Sequence, residues 1–173
     1  MADFTDDFTR PDSGSLGTDW DQWTADTAAL EIKDNQARGG NATQRAIVAA
    51  GAGGGTALSD VSVLFRFYYN AQIERHWFAG LRDNGVAFGS GSSLYILGVA
   101  NRSGNGLQEN VPMIGRLDDE DAVVEVQEGT EFTFTDETDY WIRAEVEGTT
   151  LRFRMWKDGD SEPGTWLVSG TDS

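Results

Sequence analysis

The sequence predicts an all-β fold, a two-sheet antiparallel β-sandwich or jelly roll in a single domain over residues 1–173. Three observations predict it. Almost no window carries the three-to-four-residue period of an amphipathic helix. Apolar residues recur instead in short alternating runs rich in Val, Thr and aromatics, which suit a pleated, half-buried surface. The 21 glycines gather with Asn, Asp and Ser into turn signals about every 8–12 residues, dividing the chain into roughly ten strands.

Taken in order, "ALEIK" (29–33) and "RAIVAA" (45–50) are short apolar strands. "VSVLFRFYY" (61–69) puts Val61, Val63, Phe65, Phe67 and Tyr69 on one parity and Ser62, Arg66 and Tyr68 on the other, so one side faces a core. "HWFAGLR" (76–82) and "SLYILGVA" (93–100) follow. "AVVEV" then "EGTEFTF" predicts a hairpin that sets Val126 opposite Phe132 and Val124 opposite Phe134. "TWLVS" (165–169) is the last strand. The glycine runs at 51–55, 89–93 and 101–106 are loops, because strand signal resumes after each.

"YWIRAEVEGTTLRFRMW" is the most constrained piece. A two-residue type II′ turn with Gly148 at its first central position sets Val146 opposite Leu151, Ala144 opposite Phe153 and Ile142 opposite Met155. The other side then pairs Glu145 with Arg152 and Trp141 with Trp156. Shifting the turn to Glu147-Gly148 would put Arg143 opposite Arg152 and separate the tryptophans, so the II′ register wins on cross-strand pairs of about 0.2–1 kcal/mol each. It leaves Arg143 opposite Arg154, a repulsion Glu145 is placed to relieve diagonally.

Composition excludes several function classes. With 29 acidic and 13 basic residues the formal charge is -16, which repels phosphate backbones and anionic lipid; neither nucleic acid nor membrane is an expected partner. No cysteine is present, so there is neither a disulfide nor a thiolate zinc site. Met1 leads into Asp3, Asp6 and Asp7, unlike a secretory leader.

His76 is the only histidine; it opens an apolar strand, and an edge-packed residue is its plain reading. Paired carboxylates for glycoside hydrolysis need separations of about 5–5.5 or 6.5–9.5 Å, but Asp119, Asp121 and Glu125, or Glu145 and Glu147, lack the spacing of jelly-roll glucanases. "DGDSE" gathers hard oxygens, so Asp158, Asp160 and Glu162 are a candidate calcium set; a solvated acidic turn is the alternative. Flat aromatic rings suit the apolar faces of sugars. Trp141, Trp156 and Arg154 on the outer side of the hairpin, with Tyr68 on the polar parity of 61–69, are the candidate ligand or interface residues.

"DDFTRPDSGSLGTDW" (6–20), "IKDNQAR" (32–38) and "DYWIRAEVEGTTLRFRMWKDGDSEPGTWLVSGTDS" (139–173) resemble the concanavalin A-like lectin/glucanase superfamily. Within it they resemble the LamG-like domains of phage minor tail and other virion proteins and of bacterial surface proteins. The shared patterns are D-x-F-x-R, G-x-x-W, W-x-R-x-x-x-x-G-x-x-L and R-x-W-x-x-G-x-x-E-P-x-x-W. The resemblance implies a jelly roll without a shared catalytic set. It also implies a closing strand beyond Thr-Asp-Ser, from further chain or a neighbour, unless the fold closes differently.

The expected function is therefore non-enzymatic: a phage virion surface component, tail-associated or capsid-decorating, that binds host-surface glycans and assembles with other virion proteins or its own copies. A carbohydrate-binding module of a bacterial cell surface and a glycoside hydrolase are the alternatives.

Overall fold

A computed structural model describes residues 6–17, 20–22, 30–39, 47–49, 60–71, 76–82, 93–101, 103–104, 107–118 and 123–172. Among these residues there are strands and turns and no helix. The chain divides into two compact units, residues 1–56 and 57–173.

The first unit holds two antiparallel pairs. β1 (Trp20–Gln22) pairs with β4 (Ile47–Ala49), and β2 (Leu30–Lys33) pairs with β3 (Gln36–Gly39). The β2–β3 turn is Asp34-Asn35, with φ of +51° and +58°. Positive φ at both central residues marks a type I′ turn, which Asp and Asn tolerate better than other side chains. Leu16 and Ile32 form a small buried cluster with Phe8 and Ala37 against it. The D-x-F-x-R residues act locally here. Arg10 grips both oxygens of Asp6 at 2.6 and 2.9 Å, and its guanidinium lies 5.4 Å from the Phe8 ring. Asp12 accepts from Lys33 Nζ at 2.6 Å and from the Asp34 amide at 3.0 Å, which holds the loop to the hairpin.

The second unit contains β5 (Val61–Tyr69), β6 (His76–Leu81), β7 (Ser93–Ala100), β8 (Met113–Asp118), β9 (Val124–Glu128), β10 (Thr138–Glu147), β11 (Thr150–Lys157) and β12 (Val168–Thr171). They make two four-stranded antiparallel sheets, ordered β12-β11-β10-β5 and β6-β7-β8-β9. One core joins them: Phe67, Ile142, Ala144 and Phe153 from the first sheet meet Leu81, Leu97, Val99 and Ile114 from the second. The architecture is a β-sandwich.

The hairpin register is the expected one, with Val146 opposite Leu151, Ala144 opposite Phe153 and Trp141 opposite Trp156. Gly148 takes φ +56° while Thr149 keeps a negative φ, as a II′ turn requires. Period-two alternation then buries Tyr140, Ile142, Ala144 and Val146 and turns Trp141, Arg143 and Glu145 outward.

Two expectations need correcting, and one strand goes unsignalled. Val124 and Val126 do not face Phe134 and Phe132. β9 pairs with β8 instead, and 129–135 lies outside any strand. The Phe132 amide donates to Asn110 O at 2.8 Å, and the Phe134 ring stacks on Tyr69 with centroids 4.4 Å apart. Burying two phenylalanines in an aromatic cluster outweighs the ladder bonds of a two-stranded ribbon. Strand β8 is the one that the sequence pattern does not signal, because Gly115 and Arg116 interrupt its alternation. The last strand begins at Val168 rather than Thr165, since the Trp166 ring is held by arginines of β11.

The outer face of the second sheet is apolar and close-packed. Ile96 lies between Gly80 and Gly115 on its neighbours, and Gly98 between Phe78 and Met113. A Cβ at Gly98 would stand 2.0 Å from Trp77 O, and backbone cannot yield as a side chain can. Gly98→Ala should therefore lower unfolding stability by about 3 kcal/mol or more, measured by urea denaturation. Gly104→Ala, where the added methyl meets nothing within 4 Å but φ is +132°, should cost less, about 1 kcal/mol from backbone strain alone.

Candidate functional site

The alternation that fills the core leaves a continuous polar and aromatic surface on the outer face of the β12-β11-β10-β5 sheet. Its side chains stand in rows across the strands. Arg66, Trp141 and Trp156 form one row, Leu64, Arg143 and Arg154 the next, and Ser62, Glu145 and Arg152 the third. Tyr68 stands opposite Asp139 at the end nearest the first row. The four candidate residues Trp141, Trp156, Arg154 and Tyr68 thus share one face.

The face has an open zone and a covered zone. In the open zone the Trp141 indole turns to Asp158, donating Nε1–H to Oδ1 at 2.7 Å. The Arg66 guanidinium lies 5.8 Å from the Trp141 ring, and its Nη1 is 3.5 Å from Asp158 Oδ2. Tyr68 is 47% exposed and Leu64 45%. The Tyr68 hydroxyl and the Trp156 indole N–H have no hydrogen-bond partner among the described residues. Two amphipathic rings are thereby left with their polar ends uncommitted.

In the covered zone the loop after β11 folds back over the sheet. Arg143 donates from Nε to Glu162 Oε1 at 2.6 Å and from Nη2 to Oε2 at 3.1 Å. Arg154 Nη2 reaches the same Oε1 at 2.6 Å, and its Nη1 donates to Pro163 O at 2.8 Å. The Arg154 and Arg152 guanidiniums lie 4.3 and 4.6 Å from the Trp166 ring. Glu145, expected to relieve the Arg143–Arg154 pair, is occupied by Arg152 at 3.1 and 3.2 Å; Glu162 performs that role. The hydrogen bonds and charge of Arg143, with Arg154 adding to them, hold the Glu162 carboxyl below its ordinary range. Reciprocally, the bond to Glu162 raises Arg143.

The candidate calcium set does not converge. Glu162 is taken by two guanidiniums, Asp158 by Trp141 and Arg66, and Asp160 sits in an exposed turn whose amide bonds Lys157 O at 3.1 Å. Among the described residues no three acidic or histidine side chains gather as a cation would need. Asp119 and Asp121 lie outside the described residues. Glu145 and Glu147 both contact Arg152. His76 sits exposed at the start of β6, edge-on to Phe78 at 6.3 Å, and Trp77 belongs to the core, stacked on Phe67 at 4.8 Å.

Sequence reasoning places Arg66, Arg143 and Trp166 on strands but leaves them out of the candidate ligand or interface residues. A signal for one of them is present: the register sets Arg143 against Arg154, and two facing guanidiniums require a shared anion. Compared with family models, with curated proteins and with solved structures, the chain matches none.

Glu162 yields a pH prediction. A carboxylate whose folded value is depressed contributes stability above its ordinary value, and loses it as pH falls through the lower folded value. The thermal midpoint of the wild type should exceed that of Glu162→Gln at neutral pH. The gap should close as pH falls below the ordinary value of 4.5, measured by paired melts between neutral and acid buffers.

Proposed function

We propose that this chain is a non-enzymatic recognition domain, a concanavalin A-like jelly roll on the surface of a phage particle, and that it binds host-surface glycans through the outer face of the β12-β11-β10-β5 sheet. One observation carries the reading: Tyr68 and Trp156, aromatic and without polar partners among the described residues, stand on one solvent-facing surface with Trp141 and Arg66. Aromatic rings present a flat apolar surface to the C–H face of a sugar, while their N–H and O–H groups and nearby charges serve its hydroxyls. The likeness of residues 6–20 and 139–173 to virion lectin-like domains supports the carrier. The formal charge of -16 agrees with an exposed component that avoids nucleic acid. Against hydrolysis, Glu145 and Glu147 are both engaged by Arg152.

A second reading, an assembly contact with another virion protein or a second copy, draws on Leu64, an exposed apolar side chain on β5 near Tyr68. The two readings part in solution. Glycan-array binding is measured for wild type, Tyr68→Ala and Trp156→Ala, with calcium and with a chelator. Glycan recognition predicts binding that each variant weakens about tenfold, a loss of about 1.4 kcal/mol, at unchanged melting temperature. Because Glu162 is engaged by arginines, the chelator should change nothing. If no glycan binds under either condition, the recognition reading fails and assembly stands.

A further inference from the structure

The covered zone contains an anion site that the chain fills with its own side chain. We propose that Arg143 and Arg154 form a carboxylate subsite which Glu162 occupies as an internal stand-in, and that an acidic glycan, carrying a uronate- or sialate-type carboxylate, binds by displacing it. This inference rests on the glycan-recognition reading and names the class of sugar that reading leaves open.

The subsite is a product of strand register. Arg143 and Arg154 are direct cross-strand partners, so their side chains leave neighbouring backbone positions on one face whatever the loop does. A carboxylate between them accepts a two-pronged donation from Arg143 and an ion-pair contact from Arg154 Nη2 at 2.6 Å. That fork geometry is what arginine offers carboxylates and lysine does not. Arg154 is further steadied against the Trp166 ring, and its Nε is buried with no hydrogen-bond partner among the described residues.

The plug is removable without unfolding the strands on either side. The loop is anchored at one end by the Asp158 amide on Asp139 O at 2.9 Å and at the other by the Leu167 amide on Phe153 O at 2.9 Å. Between those anchors, Gly159 and Gly164 have open space where a side chain would stand. The Glu162 and Arg143 side chains remain 30% and 27% exposed, so solvent reaches the pair.

The open zone adjoins it. The row of Arg143 and Arg154 and the row of Trp141 and Trp156 are neighbours on one face, about 7 Å apart along the strands. A sugar with its carboxylate on the arginines therefore has its ring directed along the tryptophan row. Because Glu162 competes from within the chain, apparent affinity falls by the fraction of molecules whose site is open.

The test measures binding of a glucuronate-bearing oligosaccharide and of its neutral glucose counterpart by titration calorimetry. The proteins are the wild type, Glu162→Gln, and Glu162→Gln combined with Arg143→Gln. Glu162→Gln should bind the acidic probe about tenfold or more tighter than the wild type, the neutral probe should gain nothing, and Arg143→Gln should remove the gain. The wild type at high probe concentration should show the same preference for the acidic probe, which keeps the test valid if Glu162→Gln folds poorly. Equal binding of both probes by wild type and Glu162→Gln overturns the subsite and leaves glycan recognition standing. A gain that survives Arg143→Gln also overturns the subsite. No binding of either probe by any protein overturns both.

Discussion

The register of the β10–β11 hairpin is the constraint on which the second unit depends. Side chains alternate with a period of two, so a one-residue slip of β11 against β10 would send Leu151, Phe153 and Met155 to solvent and Arg152 and Arg154 to the core. Gly148 prevents the slip by taking φ +56° at the first turn position. The turn is clamped from outside as well: its Gly148 amide donates to Asp60 Oδ1 at 2.8 Å, and its Gly148 carbonyl accepts from Arg82. These contacts tie the tip of the hairpin to residues just before β5 and just after β6.

The same register creates an electrostatic problem and dictates its answer. Apolar pairing on the inner face leaves Arg143 opposite Arg154 on the outer face, and like charges in direct opposition destabilise a strand pair. Glu145 stands in the next outward-facing row but faces Arg152. An anion must therefore come from elsewhere, and the loop after β11 delivers Glu162. Bringing Glu162 down brings Pro163 O onto Arg154 and sets Trp166 under two guanidiniums. A strand cannot start while Trp166 is turned onto that surface, and β12 begins two residues later. The loop's course is thus a consequence of a turn glycine about fourteen residues upstream.

Much of this fold is legible in the sequence because local and tertiary preferences agree. In β5, β7 and β10 the apolar parity is continuous, and the turn residues at Gly148 have a single good solution. Legibility fails where tertiary packing overrides local pattern. Phe132 and Phe134 alternate like a strand, yet their rings serve the aromatic cluster around Tyr69 and Tyr140. Strand β8 carries Gly115 where an apolar residue is expected, because Val123 Cγ1 would lie 2.3 Å from a Cβ there. The candidate site is legible in the same uneven way. Trp141, Trp156 and Tyr68 follow from parity. Glu162 reads from the sequence as an oxygen donor for a metal, whereas the structure supplies guanidinium as its cation.

The two outer faces of the sandwich differ in chemistry. On the second sheet Leu94 and Ile96 are buried on the side away from the shared core, and glycines at 80, 98 and 115 admit close approach of neighbouring atoms. On the first sheet, arginines, carboxylates and tryptophans alternate with exposed Leu64 and Tyr68. Holding such a surface together requires each arginine to have a neighbour of opposite sign, and it does: Arg66 has Asp158, Arg152 has Glu145, Arg143 and Arg154 share Glu162. Charge pairing on this face fixes the scaffold, and the Tyr68 hydroxyl and Trp156 indole N–H have no hydrogen-bond partner among the described residues.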